Sequence, residues 1–141
     1  MREIKFRGKQ INSNAWAHGF IMQAIPETLE TYIVPQTIYN FYEINNKGNW
    51  SLNSENYFEV EADTVGQYTG LKDKNGVEIY EGDVYHQGDI NITYTVVWRD
   101  SGFLGKQNGA SSFAGITYWR DKIEVIGNIH QEEYKHLRGE K

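Results

Sequence analysis

The run Leu71-Lys72-Asp73-Lys74-Asn75-Gly76-Val77-Glu78-Ile79-Tyr80 constrains this chain more than any other stretch. An Asn-Gly pair flanked by alternating apolar and polar residues is the strongest short-range signal for an antiparallel hairpin. Both residues tolerate positive φ, which a type I′ turn requires at its two central positions. The spacing therefore predicts a type I′ corner at Asn75-Gly76. A second corner follows at once, because Glu81-Gly82-Asp83 separates Ile79-Tyr80 from Val84-Tyr85. Gly82 is expected in a left-handed conformation there, with Asp83 placed to accept from backbone N–H groups of the turn.

Strand signals dominate elsewhere too. In Arg2–Phe6, Ile4 and Phe6 fall on one face and Glu3 and Lys5 on the other, a period of two. Residues 15–25 and 31–37 are apolar or β-branched, with Gly19 a candidate bulge and Pro35 a candidate edge. Residues 92–98 alternate most clearly, placing Tyr94 and Trp98 with Ile92 and Val96 on a core-facing side. Residues 57–70 and 123–130 read as further strands. The Asn- and Ser-rich run 44–56 and the Gly- and Ser-rich run 100–115 read as loops, the first a candidate boundary. Residues 131–139 lack β-branched side chains and are expected to form a short C-terminal helix closed by Gly139. The expected fold class is all-β, with short strands between regular turn signals.

Aromatic residues supply 14% of the chain, including ten Tyr and four Trp. They give a single domain of 141 residues enough volume for a core. The net charge is −5, and it is not segregated: residues 1–62 carry five cations against seven carboxylates, and residues 63–141 nine against twelve. A protein that grips phosphate backbones usually shows a basic patch, so nucleic acid is a disfavoured partner. The cluster Arg2, Lys5, Arg7 and Lys9 reads as a solvated strand face. There is no cysteine, which removes disulfides, thiolate nucleophiles and Cys-based zinc sites. No signal peptide and no membrane-spanning run is read, so a cytoplasmic setting is expected and no membrane partner.

No catalytic set stands out. His18, His86, His130 and His136 lack metal-ligand spacing, and no nucleophile elbow or phosphate loop is present. No catalytic, metal or cofactor-binding residue is assigned, and no cofactor is expected. Asp73, Glu78, Glu81 and Asp83 form an acidic group without the spacing of a calcium loop. Turn chemistry as read here leaves Gln67, Tyr68, Asp73, Lys74 and Glu81 undemanded. Those five form a candidate interaction surface. Trp50, in the Asn-rich run, and Trp119, after the Gly-rich one, join them as candidates for exposed stacking. Tyr68, Tyr80 and Tyr85 flank the turns, and at least one is expected at the surface.

The stretch "VGQYTGLKDKNGVEIYEGDV" (65–84) strongly resembles the YopX family, proteins encoded mostly in bacteriophages and prophages. "MREIKFRGK" (1–9), "WAHG" (16–19), "VVW" (96–98) with "GF" (102–103), and "IEVIGNIH" (123–130) match further family pieces. The resemblance therefore covers essentially the whole chain. It implies an SH3-like β-barrel over about residues 63–130, an N-terminal β region over 1–62 and a tail over 131–141. It also implies a phage or prophage origin and a bacterial host cell. It brings no catalytic or binding residue with it. Glu61-Ala62-Asp63 and the ending "IHQEEYKHL" depart from the common family pattern, both at segment ends.

The expected function is a non-enzymatic interaction protein. Its partner would be an unidentified host or phage protein, and open edge strands would also permit homo-oligomers. Two alternatives stand beside it: a nucleic-acid-associated small barrel, and a small hydrolase using carboxylates near Asp83.

Overall fold

The computed structural model describes residues 3–23, 30–34, 41–43, 50–52 and 57–139. The chain divides into two compact units. One comprises Ile4–Gln67, the other Met1–Glu3 with Tyr68–Lys141.

The first unit holds β1 (Phe6–Lys9), β2 (Trp16–Gln23), β3 (Thr31–Val34), β4 (Phe41–Glu43), β5 (Trp50–Leu52), β6 (Phe58–Val60) and the start of β7 (Gly66–Lys72). Strands run antiparallel in the order β6, β3, β2, β1, and Phe6 and Arg7 then pair with Gln67 and Gly66. Among the described residues β4 and β5 pair with each other, Phe41 opposite Leu52. The core is small: Ala17, Ile33 and Val60, with Phe6 and Val65 packed against them. Ile4 is 55% exposed and precedes β1, so the strand that the period-two pattern opened at Arg2 begins at Phe6. Thr64 ties β1 to the 3₁₀ turn Ala62–Thr64. Its Oγ1 donates to the Glu61 carbonyl at 2.6 Å and accepts from the Lys9 N–H at 2.9 Å. Of the Asn-rich boundary expected at 44–56, only β5 lies within the described residues.

Gly8 has a packing reason. A Cβ there would sit 2.8 Å from Val60 Cγ2. Val60 is 2% exposed and has nowhere to retreat. Gly8→Ala is accordingly expected to lower the unfolding free energy by about 1–2 kcal/mol, through overpacking. Thermal denaturation measures it, and an unchanged midpoint would contradict the packing described.

The second unit holds the rest of β7, then β8 (Glu78–Tyr80), β9 (Asp83–His86), β10 (Thr93–Arg99), β11 (Gly102–Gln107), β12 (Phe113–Gly115), a single helical turn α1 (Ile116–Trp119) and β13 (Glu124–Asn128). A 3₁₀ helix at Glu132–Gly139 supplies the expected short C-terminal helix. Five strands form an antiparallel sheet in the order β12, β11, β10, β9, β13. The chain is mainly β, as the alternation predicts. The sheet is not closed, since no pairing joins β12 to β13, and the SH3-like barrel expected over about residues 63–130 is not confirmed by the ladder. Residues 100–115 are not a long loop either. They contain β11 and β12, whose glycines hide the strand signal.

The core of this unit is Ile79, Tyr85, Val96, Ile116 and Ile123, lined by Leu71, Tyr94, Phe103, Trp119 and Val125. Two corners behave differently from one another. Gly82 has φ +92° and Asp83 Oδ2 accepts from the Tyr80 N–H at 2.7 Å, as the sequence predicts. At the other corner Gly76 has φ +80°, but among the described residues only Asp100 and Ser101 are non-glycines with positive φ. Asn75 therefore stays in ordinary conformation and the turn is not type I′. The Gly76 N–H donates to the Asp73 carbonyl, and the Asp73 N–H to the Val77 carbonyl. That pattern is a three-residue loop with a left-handed glycine at its end.

Candidate functional site

The polar stretch that looks most like a site is largely consumed by folding. Asp73 is 6% exposed. Its Oδ1 accepts from the Asn75 and Val77 N–H groups at 2.8 and 2.9 Å, and its Oδ2 from the Val125 N–H at 3.0 Å. Lys74 is exposed. Its backbone N–H donates to the Ile123 carbonyl and its ammonium lies 3.2 Å from Glu124 Oε1. Glu124 also faces His86, whose Nε2 is 3.6 Å away and whose Nδ1 accepts from the Gly88 N–H. Asp73 and Lys74 thus meet on β13, as anchors of the hairpin.

The other candidates scatter. Gln67 pairs with Phe6 in the first unit and is half-buried. Tyr68, Tyr80 and Tyr85 are all buried, at 5%, 2% and 0% exposure, so none presents a surface ring. Tyr68 and Tyr80 instead pack ring to ring at 5.4 Å. Glu81 is partly exposed in the turn before β9. The backbone of Trp50 opens β5, and its side chain lies outside the described residues. Trp119 is half-buried against the core, and the exposed ring is its neighbour Tyr118, 82% accessible. Asp83 is 1% exposed and engaged with its turn. Among the described residues no three His, Asp or Glu side chains gather to hold a metal, and no helix is long and apolar enough to cross a membrane.

The arrangement with the most chemical potential lies at the end of the β10–β11 hairpin. Trp98 shares its strand face with Val96, as the alternation predicts, but it runs past the core and is 51% exposed. It is not the core residue expected, and Ile92, at the other end, is 40% exposed. Trp98 stands opposite Phe103 in the ladder, their ring centroids 4.8 Å apart at 76°. Together with Thr69, Leu71, Ser101, Gly102, Ile116 and Thr117 they line a cleft of about 180 Å³. The accessible lining is mainly polar, and Thr69, Ser101 and Thr117 are its hydroxyl-bearing residues.

The turn beside this cleft is strained. Arg99 pairs with Gly102 across a two-residue loop, Asp100 at φ 50° and Ser101 at φ 71°. Positive φ at both central positions is the type I′ geometry, favoured by Asn-Gly. Asp and Ser carry a Cβ there, at a cost of about 1–2 kcal/mol per residue for the left-handed conformation. Such strain concentrates at binding sites.

The sequence profile described as "YopX protein" matches residues 5–133. The chain belongs to the YopX family. No curated protein matches it. Among solved structures it resembles protein EF1440 from Enterococcus faecalis at 23% identity and a TM-score of 0.58, covering 95% of this chain and 99% of that one. At that identity the likeness concerns the fold alone. The central YopX motif, residues 65–84, therefore builds the β7–β8–β9 framework. The cleft draws instead on the hairpin after it, and Trp98 and Phe103 belong to the lesser family pieces "VVW" and "GF". What the sequence reading missed was depth. Periodicity assigns a strand face and does not say where the strand leaves the core.

Proposed function

We propose that this YopX-family protein is a phage- or prophage-encoded, non-enzymatic binding module of the bacterial cytoplasm, and that it engages a host or phage protein through the Trp98 cleft. The observation that supports this reading is the half-exposed indole beside a cleft at a strained turn. Folding gains little from a half-exposed Trp, whereas binding gains much, because aromatic anchors in pockets dominate interface energies. The carboxylates that would serve a hydrolase support structure instead: Asp73 and Asp83 accept from backbone N–H groups.

The test is affinity enrichment from host cells with the wild-type chain and with Trp98→Ala, followed by measured affinity for the recovered protein. Trp98→Ala is expected to weaken binding about tenfold with the fold intact. Equal recovery by both chains would move the site elsewhere. Recovery of nothing by either would sink the function.

A further inference from the structure

We propose that Asn75 is a site of spontaneous covalent modification, its side chain closing on the Gly76 nitrogen to give aspartyl and isoaspartyl forms of the hairpin, with Asp73 setting the rate. The inference is independent of the Trp98 reading.

The chemistry begins in the sequence. Asn-Gly is a pair open to ring closure, because a following glycine has no side chain to shield its nitrogen. The chain holds two such pairs, Asn75-Gly76 and Asn108-Gly109. In the first, the Gly76 nitrogen attacks Asn75 Cγ and a C–N bond forms. The side-chain nitrogen leaves as ammonia, taking the proton that the Gly76 amide gives up. The product is a cyclic succinimide. Water then opens it at either carbonyl. Opening at one restores the ordinary backbone with an aspartate. Opening at the other routes the backbone through the side chain, as isoaspartate. Water is consumed and ammonia released, with no oxidation or reduction.

The structure separates the two pairs. The Asn108 side chain is tied down: its Oδ1 accepts from the Thr95 hydroxyl at 2.8 Å, and its Nδ2 donates to the Thr93 hydroxyl at 3.0 Å. Its backbone N–H donates to the Thr93 carbonyl as well. Ring closure there must first break both side-chain bonds. Asn75 is exposed at the tip of the β7–β8 hairpin, and its carboxamide makes no hydrogen bond among the described residues. A Cβ placed at Gly76 would meet nothing within 4 Å, so the space beside the attacking residue is open.

Asp73 is the brake. The Gly76 N–H donates to the Asp73 carbonyl at 3.0 Å. The Asp73 carboxylate holds the flanking N–H groups of Asn75 and Val77 at 2.8 and 2.9 Å. The Gly76 nitrogen must leave its carbonyl and lose its proton before it attacks, so the tip has to open first. Opening a surface turn costs less than opening a sheet. Asp73 is thus a positioning residue. It does not enter the reaction, and it fixes how often the tip presents its nitrogen.

The modification undoes the anchor. Isoaspartate lengthens the backbone of a short loop whose bonds are set by its length, and either product puts a second carboxylate near Asp73, where like charge is unfavourable. The same Asp73 carboxylate holds the Val125 N–H of β13 at 3.0 Å. Conversion of Asn75 therefore loosens the hairpin tip from β13.

The experiment is incubation of the full chain at mildly alkaline pH, followed by peptide mapping by mass and by an isoaspartate-specific methyltransferase. A synthetic peptide of residues 71–80 runs alongside, with the Asn75→Gln and Asp73→Ala chains. In the folded chain Asn75 is expected to convert at least about tenfold faster than Asn108, and more slowly than in the peptide. Asp73→Ala should raise the Asn75 rate about tenfold toward that of the peptide, with Asn108 unchanged. Asn75→Gln should remain unconverted at this position, because its longer side chain closes a larger ring far more slowly. Converted chain, separated by charge, should exchange the Val125 amide faster than unconverted chain. Asn75 intact while the peptide converts, or Asn108 converting as fast as Asn75, would overturn the site. A folded Asp73→Ala chain with an unchanged Asn75 rate would overturn the brake. If Asp73→Ala unfolds, Asn108 accelerates too and the wild-type chain decides: Asn75 converting there as fast as in the peptide overturns the brake, and slower conversion supports it.

Discussion

Gly105→Ala is expected to destabilise the C-terminal unit by about 3 kcal/mol or more, a large share of the stability of an ordinary domain. A Cβ at Gly105 would lie 1.7 Å from Tyr85 Oη and 2.8 Å from Cζ. Tyr85 is fully buried and cannot swing aside, because its ring stacks on Tyr94 at 5.3 Å and belongs to the core with Ile79, Val96 and Ile123. Chemical denaturation reads the loss. Tyr85→Phe in the same chain should restore part of it, since the oxygen contact disappears while the ring contact at Cζ persists.

Tyr85→Phe alone is the informative control. The phenol oxygen is buried and has no hydrogen-bond partner among the described residues. Removing it should leave stability unchanged or raise it by up to about 1 kcal/mol, because an unsatisfied buried hydroxyl costs free energy. Burial pushes the Tyr85 hydroxyl well above the ordinary phenol range, with Tyr94 adding to the shift. A folded-state value above the unfolded one means that stability is full below the unfolded value and declines as pH rises from about 10. Tyr85→Phe should flatten that alkaline decline. A Gly105→Ala chain as stable as wild type would contradict the packing on which both expectations stand.

The two glycines Gly82 and Gly105 illustrate what was legible in the sequence. Gly82 sits in a corner whose residues all point one way: an apolar pair, then Gly-Asp, then a β-branched residue. Its φ of +92° and the Asp83 bond to Tyr80 follow from that local chemistry. Gly105 carries no local signal. In "GFLGKQ" it reads as loop, and only the cross-strand approach of Tyr85, twenty residues earlier, explains it. Strand faces were legible for the same local reason, as in Val96 and Trp98. Their depths were not, because depth depends on where the sheet outruns its core. The type I′ turn was expected at Asn75-Gly76 and occurs at Asp100-Ser101. Turn preference is a weak term that a strand register fixed by packing overrides, and the position where it is overridden borders the cleft.

Asp73 bears most directly on whether the central polar stretch is a site or a scaffold. Asp73→Ala is expected to lower the unfolding free energy by about 3 kcal/mol. The carboxylate accepts three backbone N–H bonds, from Asn75, Val77 and Val125. Its loss strands donors in a position that is 6% exposed, and each stranded donor costs about 1–3 kcal/mol, reduced where water can enter. Asp73→Asn should lose nearly as much, because its amide nitrogen must face at least one N–H group, donor against donor. The damage should be local as well as global. The Val125 bond spans 52 residues in sequence and, with the Lys74 N–H bond to the Ile123 carbonyl, pins the hairpin tip to β13. Amide exchange at Asn75, Val77 and Val125 should accelerate together in Asp73→Asn, ahead of the sheet amides of β10 and β11. A binding or catalytic role predicts the opposite pattern. Removing a buried charge from a ligand site commonly stabilises the fold, since function keeps groups that folding does not favour. A stable Asp73→Asn chain with unchanged exchange would return this residue to the interaction surface. A destabilised one assigns this polar stretch to holding the sheet together.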